Sequence, residues 1–250
     1  MTEKEPHRFV IVGGGTAGWI SALFLRYKMP TAKITLIESE SIGILGAGEG
    51  TTPAFITLLQ KLRIPLSRLI NETSSTMKNG IKFENWTKDS DYYYHGFFAS
   101  DDVGLGAFDN PQYLADTSLL VAHAQANDKS FSEINFCEDV SEKNKIPLFV
   151  HPEYDEQFIP DPLEKYFSHA HYANHFDAVA LAEFFQKVAV EEREVTRIEG
   201  KVVDHKQRDN GDLYEVILES GESVEGDFFI DCTGFARKFI GKVYESEWVS

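Results

Sequence analysis

The sequence is poor in cysteine, in basic residues and in uninterrupted apolar runs. Its only two cysteines, Cys137 and Cys232, lie far apart with no CxxC or CxxH spacing. Neither a disulfide framework nor a thiolate metal site is therefore suggested, and the chain reads as cytoplasmic. Lys and Arg number 24 against 40 Asp and Glu, a formal charge of −16. Such a balance opposes the phosphates of nucleic acid and the anionic face of a membrane, so neither is an expected partner. The stretch from Phe9 to Leu25 carries no charge, but Gly13, Gly14 and Gly15 interrupt it. Three consecutive glycines favour a strand, a turn and a helix over one spanning helix. Met1 to Arg8 is charged and lacks the apolar core of a signal peptide, so no targeting segment is expected.

What remains is enough for a folded core. With 42% hydrophobic and 13% aromatic residues over 250 positions, disorder, collagen and coiled coil are excluded. Arg8 to Val12 reads as a strand, Ala17 to Tyr27 as a helix and Lys33 to Ile37 as a second strand ending at Glu38. That order and length make one βαβ unit with parallel strands. A glycine-rich connection follows at Gly43, Gly46, Gly48 and Gly50, then a helix from Ala54 to Leu62. Residues 86–174 carry prolines and aromatic patches such as Tyr92, Tyr93, Tyr94, Phe97 and Phe98, and read as an irregular insertion. Asp177 is placed to cap a helix from Ala178 to about Glu192, with Leu181, Phe184, Phe185 and Val188 on one face. Strand patterns at Val195 to Asp204 and Leu213 to Leu218 flank Asn210-Gly211, and a buried-type strand at Asp227 to Asp231 ends in a second glycine turn, Asp231-Cys232-Thr233-Gly234.

Gly13-Gly14-Gly15-Thr16-Ala17-Gly18 is a GxGxxG after a strand and opening a helix. Glycines there permit a tight turn and close approach of a pyrophosphate to the helix N-terminus. Glu38, twenty residues past Gly18, is placed to accept the hydroxyls of an adenosine ribose, and its acidity argues against a 2′-phosphate. FAD and NAD both suit this half. Asp231 with Gly234 favours FAD, because a carboxylate can take ribityl hydroxyls, which NAD lacks, while a glycine leaves room for phosphate; the bland alternative is an αβ turn capped by its own Asp.

Six blocks occur in the order seen in flavin-dependent halogenases. They are Val12 to Trp19, Leu36 to Ser39, Gly48-Glu49-Gly50-Thr51-Thr52-Pro53, Lys78 to Trp86 (KNGIKFENW), His175-Phe176-Asp177-Ala178 and Phe229 to Gly234 (FIDCTG). The sequence resembles the N-terminal half of a tryptophan-halogenase-type enzyme. That resemblance implies an α/β, three-layer FAD-binding domain of the glutathione-reductase-like, Rossmann type, forming a single module over 1–250 with the 86–174 insertion on the substrate side. It implies FADH₂ from a separate flavin reductase, O₂, halide as co-substrate, hypohalous acid, and an electron-rich aromatic small molecule as acceptor.

The resemblance also assigns residues. Lys78 matches the catalytic lysine, whose amine can hydrogen-bond HOX or carry the halogen, as a carboxylate cannot. Lys82, four positions on, competes for that role. Gly13, Gly15, Thr16, Ala17, Gly18 and Glu38 would bind the cofactor, joined by Gly48, Glu49 and Gly50 in the connection near the flavin, by Val202 whose backbone would meet adenine, and by Asp231 and Gly234. His169, His171 and His175 form HxHxxxH, which resembles metal-ligand spacing. No metal is expected, since His175 belongs to the HFDA block. The family's Trp-x-Trp-x-Ile-Pro signature, its downstream glutamate and its Ser-Thr-Gly halide loop are absent before Ser250, which leaves the module incomplete on this reading. A single-component flavin hydroxylase and a non-catalytic FAD-binding fragment stay open as alternatives.

Overall fold

The structure, a computed structural model, describes residues 6–43, 46, 48–86, 88–97, 125–126, 128, 141–145 and 172–247. In chain order these form β1 (Arg8–Val12), α1 (Thr16–Lys28), β2 (Lys33–Glu38), β3 (Gly48–Gly50), α2 (Pro53–Leu62), α3 (Leu66–Thr73), β4 (Thr76–Lys78), β5 (Gly80–Glu84) and β6 (Tyr92–Gly96). Then come β7 (Ala173–Asp177), α4 (Ala178–Lys187), β8 (Thr196–Glu199), β9 (Val202–Gln207), β10 (Leu213–Leu218), β11 (Ser223–Glu225) and β12 (Phe228–Asp231). The chain divides into two compact units, Met1–Gly48 with Asp177–Ser250, and Glu49–Phe176.

The first unit is an α/β layer structure. Its central sheet runs β12-β1-β2-β8, and every pairing is parallel. Strand residues alternate faces. Val10, Val12 and Ile37 therefore point one way, into a core shared with Val202, Leu213, Val216, Leu218 and Phe239 of the antiparallel β9–β10–β11 sheet and the chain after β12. On the opposite face α1 packs on β1 and β2 and against α4, burying Trp19, Leu23, Leu181 and Phe185 almost completely. Each such side chain contributes about 1.5–3 kcal/mol by leaving water. Helices, parallel sheet and antiparallel sheet make three layers, as expected.

Asp177 caps α4, its Oδ1 accepting the Ala180 backbone N–H at 2.8 Å. The helix is regular only to Lys187; Val188–Glu192 form a π-helical turn that keeps Val188 and Ala189 buried. The stretch from Val195 to Asp204, expected as one strand, is two. Thr196–Glu199 pair with β2, and after Gly200 the chain enters the antiparallel sheet at Val202. At Gly200 the backbone passes so near Leu218 that a Cβ would stand 3.0 Å from its Cδ1. The strand expected to be buried at 227–231 lies at the edge of the described sheet, and Phe228 is 59% exposed with one side of its ring against Phe9.

In the second unit β7 is central in a sheet of order β3-β7-β4. Pro53 opens α2, where its fixed φ and missing N–H cost nothing. Phe55 of α2 meets Phe176 with ring centroids 5.7 Å apart. Tyr92, Tyr93 and Tyr94, read from sequence as part of an irregular insertion, form strand β6 paired antiparallel with β5. Cross-strand stacking of Phe83 on Tyr93, at 5.1 Å and 12°, supplies the side-chain complementarity that a two-stranded ribbon needs. Phe98 lies outside the described residues.

Candidate functional site

Three of the four glycines in the first βα turn are there for different reasons. Gly13 has φ +117°, and a Cβ would overlap the Cys232 carbonyl at the end of β12. A Cβ on Gly18 would overlap the Gly13 carbonyl, so the helix can approach the loop only without one. Gly15 is different: its φ of −74° and ψ of −178° suit any residue, yet no atom lies within 4 Å of where a Cβ would stand. Beside this open space the α1 N-terminus has no side-chain cap and no acidic residue in its first turn. The Thr16 hydroxyl is buried with no hydrogen-bond partner. Free N–H groups, an orphaned hydroxyl and a space left by glycine fit a phosphate, as the positive end of the helix dipole requires.

Glu38 ends β2 beside this loop, and its Oε2 lies against Gly14, where a Cβ would overlap it. Its Oε1 accepts a hydrogen bond from Arg197 Nε. That bond, followed by the charges of Glu38 and Glu199 and a bond to Glu40, raises the Arg197 guanidinium above its ordinary value despite partial burial. Gly14 and Arg197 were not singled out from sequence. The glycine is hidden in a motif whose x positions carry no expectation, and the arginine is brought to Glu38 only by the parallel register of β2 and β8.

Asp231 is at the end of β12, in register with Val12. Its Oδ1 accepts from the Thr233 hydroxyl at 2.6 Å and backbone N–H at 3.1 Å, and its Oδ2 from the Phe239 N–H at 2.7 Å. The carboxylate thus organises its own turn. Gly234 has φ +58° and open space at its Cβ position. Val202 buries its side chain in the core, while its carbonyl accepts the Lys238 ammonium at 3.0 Å. Burial, then Lys242 and Lys201, press the Lys238 amine below its ordinary value.

In the second unit Lys78 ends β4 in register with Ala173 of β7, and Thr76 with His175. Paired residues share a face, so the side chains of Lys78 and His175 project to the same side of the sheet. Ala173 is small, and the lysine crosses β7 over it to reach the chain beyond β3, where Nζ donates to the Thr51 carbonyl at 3.0 Å. Thr51 is itself fixed, its N–H donating to the Asn174 carbonyl at 2.9 Å and its hydroxyl accepting the Asn174 N–H at 2.9 Å. Gly50 makes room: a Cβ would stand 3.1 Å from Lys78 Nζ and 3.2 Å from His175 Cδ2. Burial, and secondarily Lys78, press His175 below its ordinary value. Gly48 and Glu49 are exposed on β3.

Lys82 has a different fate. Its Nζ contacts Glu142 at 3.2 Å and Glu84 at 3.4 Å, and lies 4.3 Å from the Tyr92 ring centroid. The Glu142 hydrogen bond raises its amine above the ordinary value. Lys78 meets no carboxylate among the described residues; besides Thr51 its neighbours include Gly50 and the Phe97 ring, the latter at 5.4 Å. His169 and His171 lie outside the described residues, and among those described no group of His, Cys, Asp and Glu could hold a metal ion. Nor, among them, is any helix long and apolar enough to cross a membrane.

The chain is similar to proteins that are already known. The family profile described as tryptophan halogenase matches residues 8–250. Tryptophan 7-halogenase RebH of Lentzea aerocolonigenes is 32% identical over 263 residues, covering 97% of this chain and 45% of that protein. Tryptophan 6-halogenase SttH of Streptomyces toxytricini is 26% identical over 265 residues, covering 100% and 48%. Its crystal structure aligns with a TM-score of 0.77 at 25% identity, over 99% of this chain and 48% of that one. Xcc4156, a flavin-dependent halogenase from Xanthomonas campestris, aligns at 0.73 and 31%, over 96% and 45%. The chain therefore spans about half the length of the curated relatives it matches. The matched range takes in both units apart from the first seven residues, and the chain belongs to the tryptophan halogenase family.

Proposed function

We propose that this chain is the FAD-binding and lysine-bearing part of a flavin-dependent halogenase acting on an electron-rich aromatic small molecule. Gly13, Gly15, Thr16, Ala17 and Gly18 would hold the pyrophosphate, Glu38 the adenosine ribose, and Val202 the adenine. Asp231 and Gly234 would meet the flavin end, and Gly48, Glu49 and Gly50 would form the adjoining connection. Reduced FAD, delivered by a separate reductase, would with O₂, halide and a proton supply hypohalous acid, leaving oxidised flavin and water.

Everything after that step belongs to the protein. An ammonium has three N–H bonds. One from Lys78 is used on Thr51, which aims the group and leaves two for holding HOX by its oxygen. Loss of a proton would instead free a lone pair to take the halogen. Transfer to an aromatic carbon then replaces a ring hydrogen by halogen, with water as the other product. The observation that carries this reading is the contrast between the lysines: Lys82 is committed to Glu142 and Glu84, whereas Lys78 is positioned by a neutral carbonyl and, among the described residues, keeps donors to spare.

The test uses the full-length protein with a flavin reductase, bromide and indole or tryptophan, and mass spectrometry of the product. A brominated product is expected, with reduced-flavin oxidation observed in parallel. Oxygenated product independent of bromide would make the protein a hydroxylase. Flavin binding without product on a broad panel of aromatics would make it a non-catalytic flavoprotein.

A further inference from the structure

The two oxygens of the Glu38 carboxylate have different surroundings. Oε1 is tied to Arg197, while Oε2 takes no hydrogen bond from the described residues and lies over the glycine loop at Gly14. Arg197 is itself held from several directions. Its Nη2 reaches Glu199 Oε2 at 2.9 Å and Glu40 Oε1 at 3.2 Å, and the second Glu199 oxygen accepts the Glu40 backbone N–H at 3.0 Å. Beneath them the Gly200 N–H donates to the Glu38 carbonyl at 2.7 Å, closing the ends of β2 and β8 together. The side chains of Arg197 and Glu38 are only 22% and 14% exposed, unlike an ordinary surface pair.

Charge explains why this arrangement matters. Glu38, Glu40 and Glu199 would repel one another, and the flexible Glu38 side chain would swing away from the loop if nothing held it. One guanidinium opposes all three, and its planar fork fixes direction as well as charge. We propose that Arg197 is a positioning residue for nucleotide recognition: it holds Glu38 by Oε1 so that Oε2 stays at the glycine loop, free to accept a ribose hydroxyl. This rests on the FAD reading above, because Glu38 has a ribose to meet only if an adenine nucleotide binds there.

The test needs no turnover. Using full-length protein, ADP and 2′-deoxy-ADP compete with FAD in a fluorescence titration, for the parent, Arg197→Ala, Glu38→Gln and the double variant. Arg197→Ala should weaken ADP about tenfold, change 2′-deoxy-ADP much less, and so flatten the preference for the ribose. In the Glu38→Gln background the same change should add little, since its effect passes through Glu38. Arg197→Lys keeps a charge without the fork; it should melt like the parent and lie between parent and alanine in ADP preference. Equal losses for both nucleotides, a full further loss on top of Glu38→Gln, or a parental preference in Arg197→Lys would each overturn the proposal. A parent that binds neither FAD nor ADP would instead overturn the flavin reading itself.

Discussion

The ammonium of Lys78 reaches across strand β7 to the carbonyl of Thr51, a 3.0 Å hydrogen bond from the end of β4 to the residue that follows β3, two strands not themselves paired. It orients an amine without neutralising it. In the full-length protein Lys78→Ala should leave FAD binding and flavin oxidation by O₂ nearly unchanged, because the lysine acts after the oxidant has formed. Halogenated product should fall by orders of magnitude, since positioning alone can supply about 7–11 kcal/mol of a barrier. Lys82→Ala should keep product within a few-fold, its ammonium being engaged by Glu142 and Glu84. Mass spectrometry with stopped-flow flavin spectra reads both variants; loss in Lys82→Ala alone would move the role there.

Two glycines of one loop should respond differently to valine. Gly15→Val fills open space at a φ valine tolerates, so far-UV circular dichroism and Tm should stay near the parent while FAD affinity drops at least tenfold. Gly13→Val meets both φ +117° and the Cys232 carbonyl, and should fail to accumulate as folded protein. Parental flavin affinity in a folded Gly15→Val would remove the loop from the cofactor site.

Removing the α4 cap leaves the Ala180 N–H without its carboxylate acceptor. Asp177→Ala should cost about 0.5–2 kcal/mol in urea unfolding, with Asp177→Asn restoring most of it. An unchanged midpoint would show that the backbone of β7 holds that helix start unaided.

Arg8 holds the end of β11 and the turn that follows it, its guanidinium meeting Asp227 at 2.9 Å and Glu225 at 2.7 Å. The Arg8 side chain and backbone N–H hold the Asp227 carboxyl at about 2, below its ordinary 3.8. A carboxyl lowered on folding stabilises above its unfolded value and loses that contribution as pH falls through its folded one. The pair is well exposed, so its worth is small, on the order of 0.2–1 kcal/mol. The gap in Tm between the parent and Asp227→Asn should therefore be present at neutral pH and close between about pH 4 and pH 2. A gap that persists at pH 2 would assign the effect to packing.

Much of the first unit could be read from the sequence because its cues are local. β-branched runs before glycines, twenty residues between Gly18 and Glu38, and an Asp before an apolar-faced helix each act within a few turns of chain. They determined β1, α1, β2, the α4 cap and the glycine loop. Tertiary structure decided what depends on neighbours distant in sequence. The stretch after Val195 divides between two sheets because its first half finds β2 as partner and its second half β10, both far off in sequence. Tyr92 to Tyr94 become a strand because Glu84, Phe83 and Lys82 stand opposite them. Lys78 and Lys82 differ by four positions in one block, and only the third dimension gives one a carbonyl and the other two carboxylates. Arg197 was invisible beforehand for the same reason: parallel register, set by burial of Leu36 and Ile37 on opposite faces of β2, places it against Glu38, and no local pattern records a pairing made across 159 residues of chain.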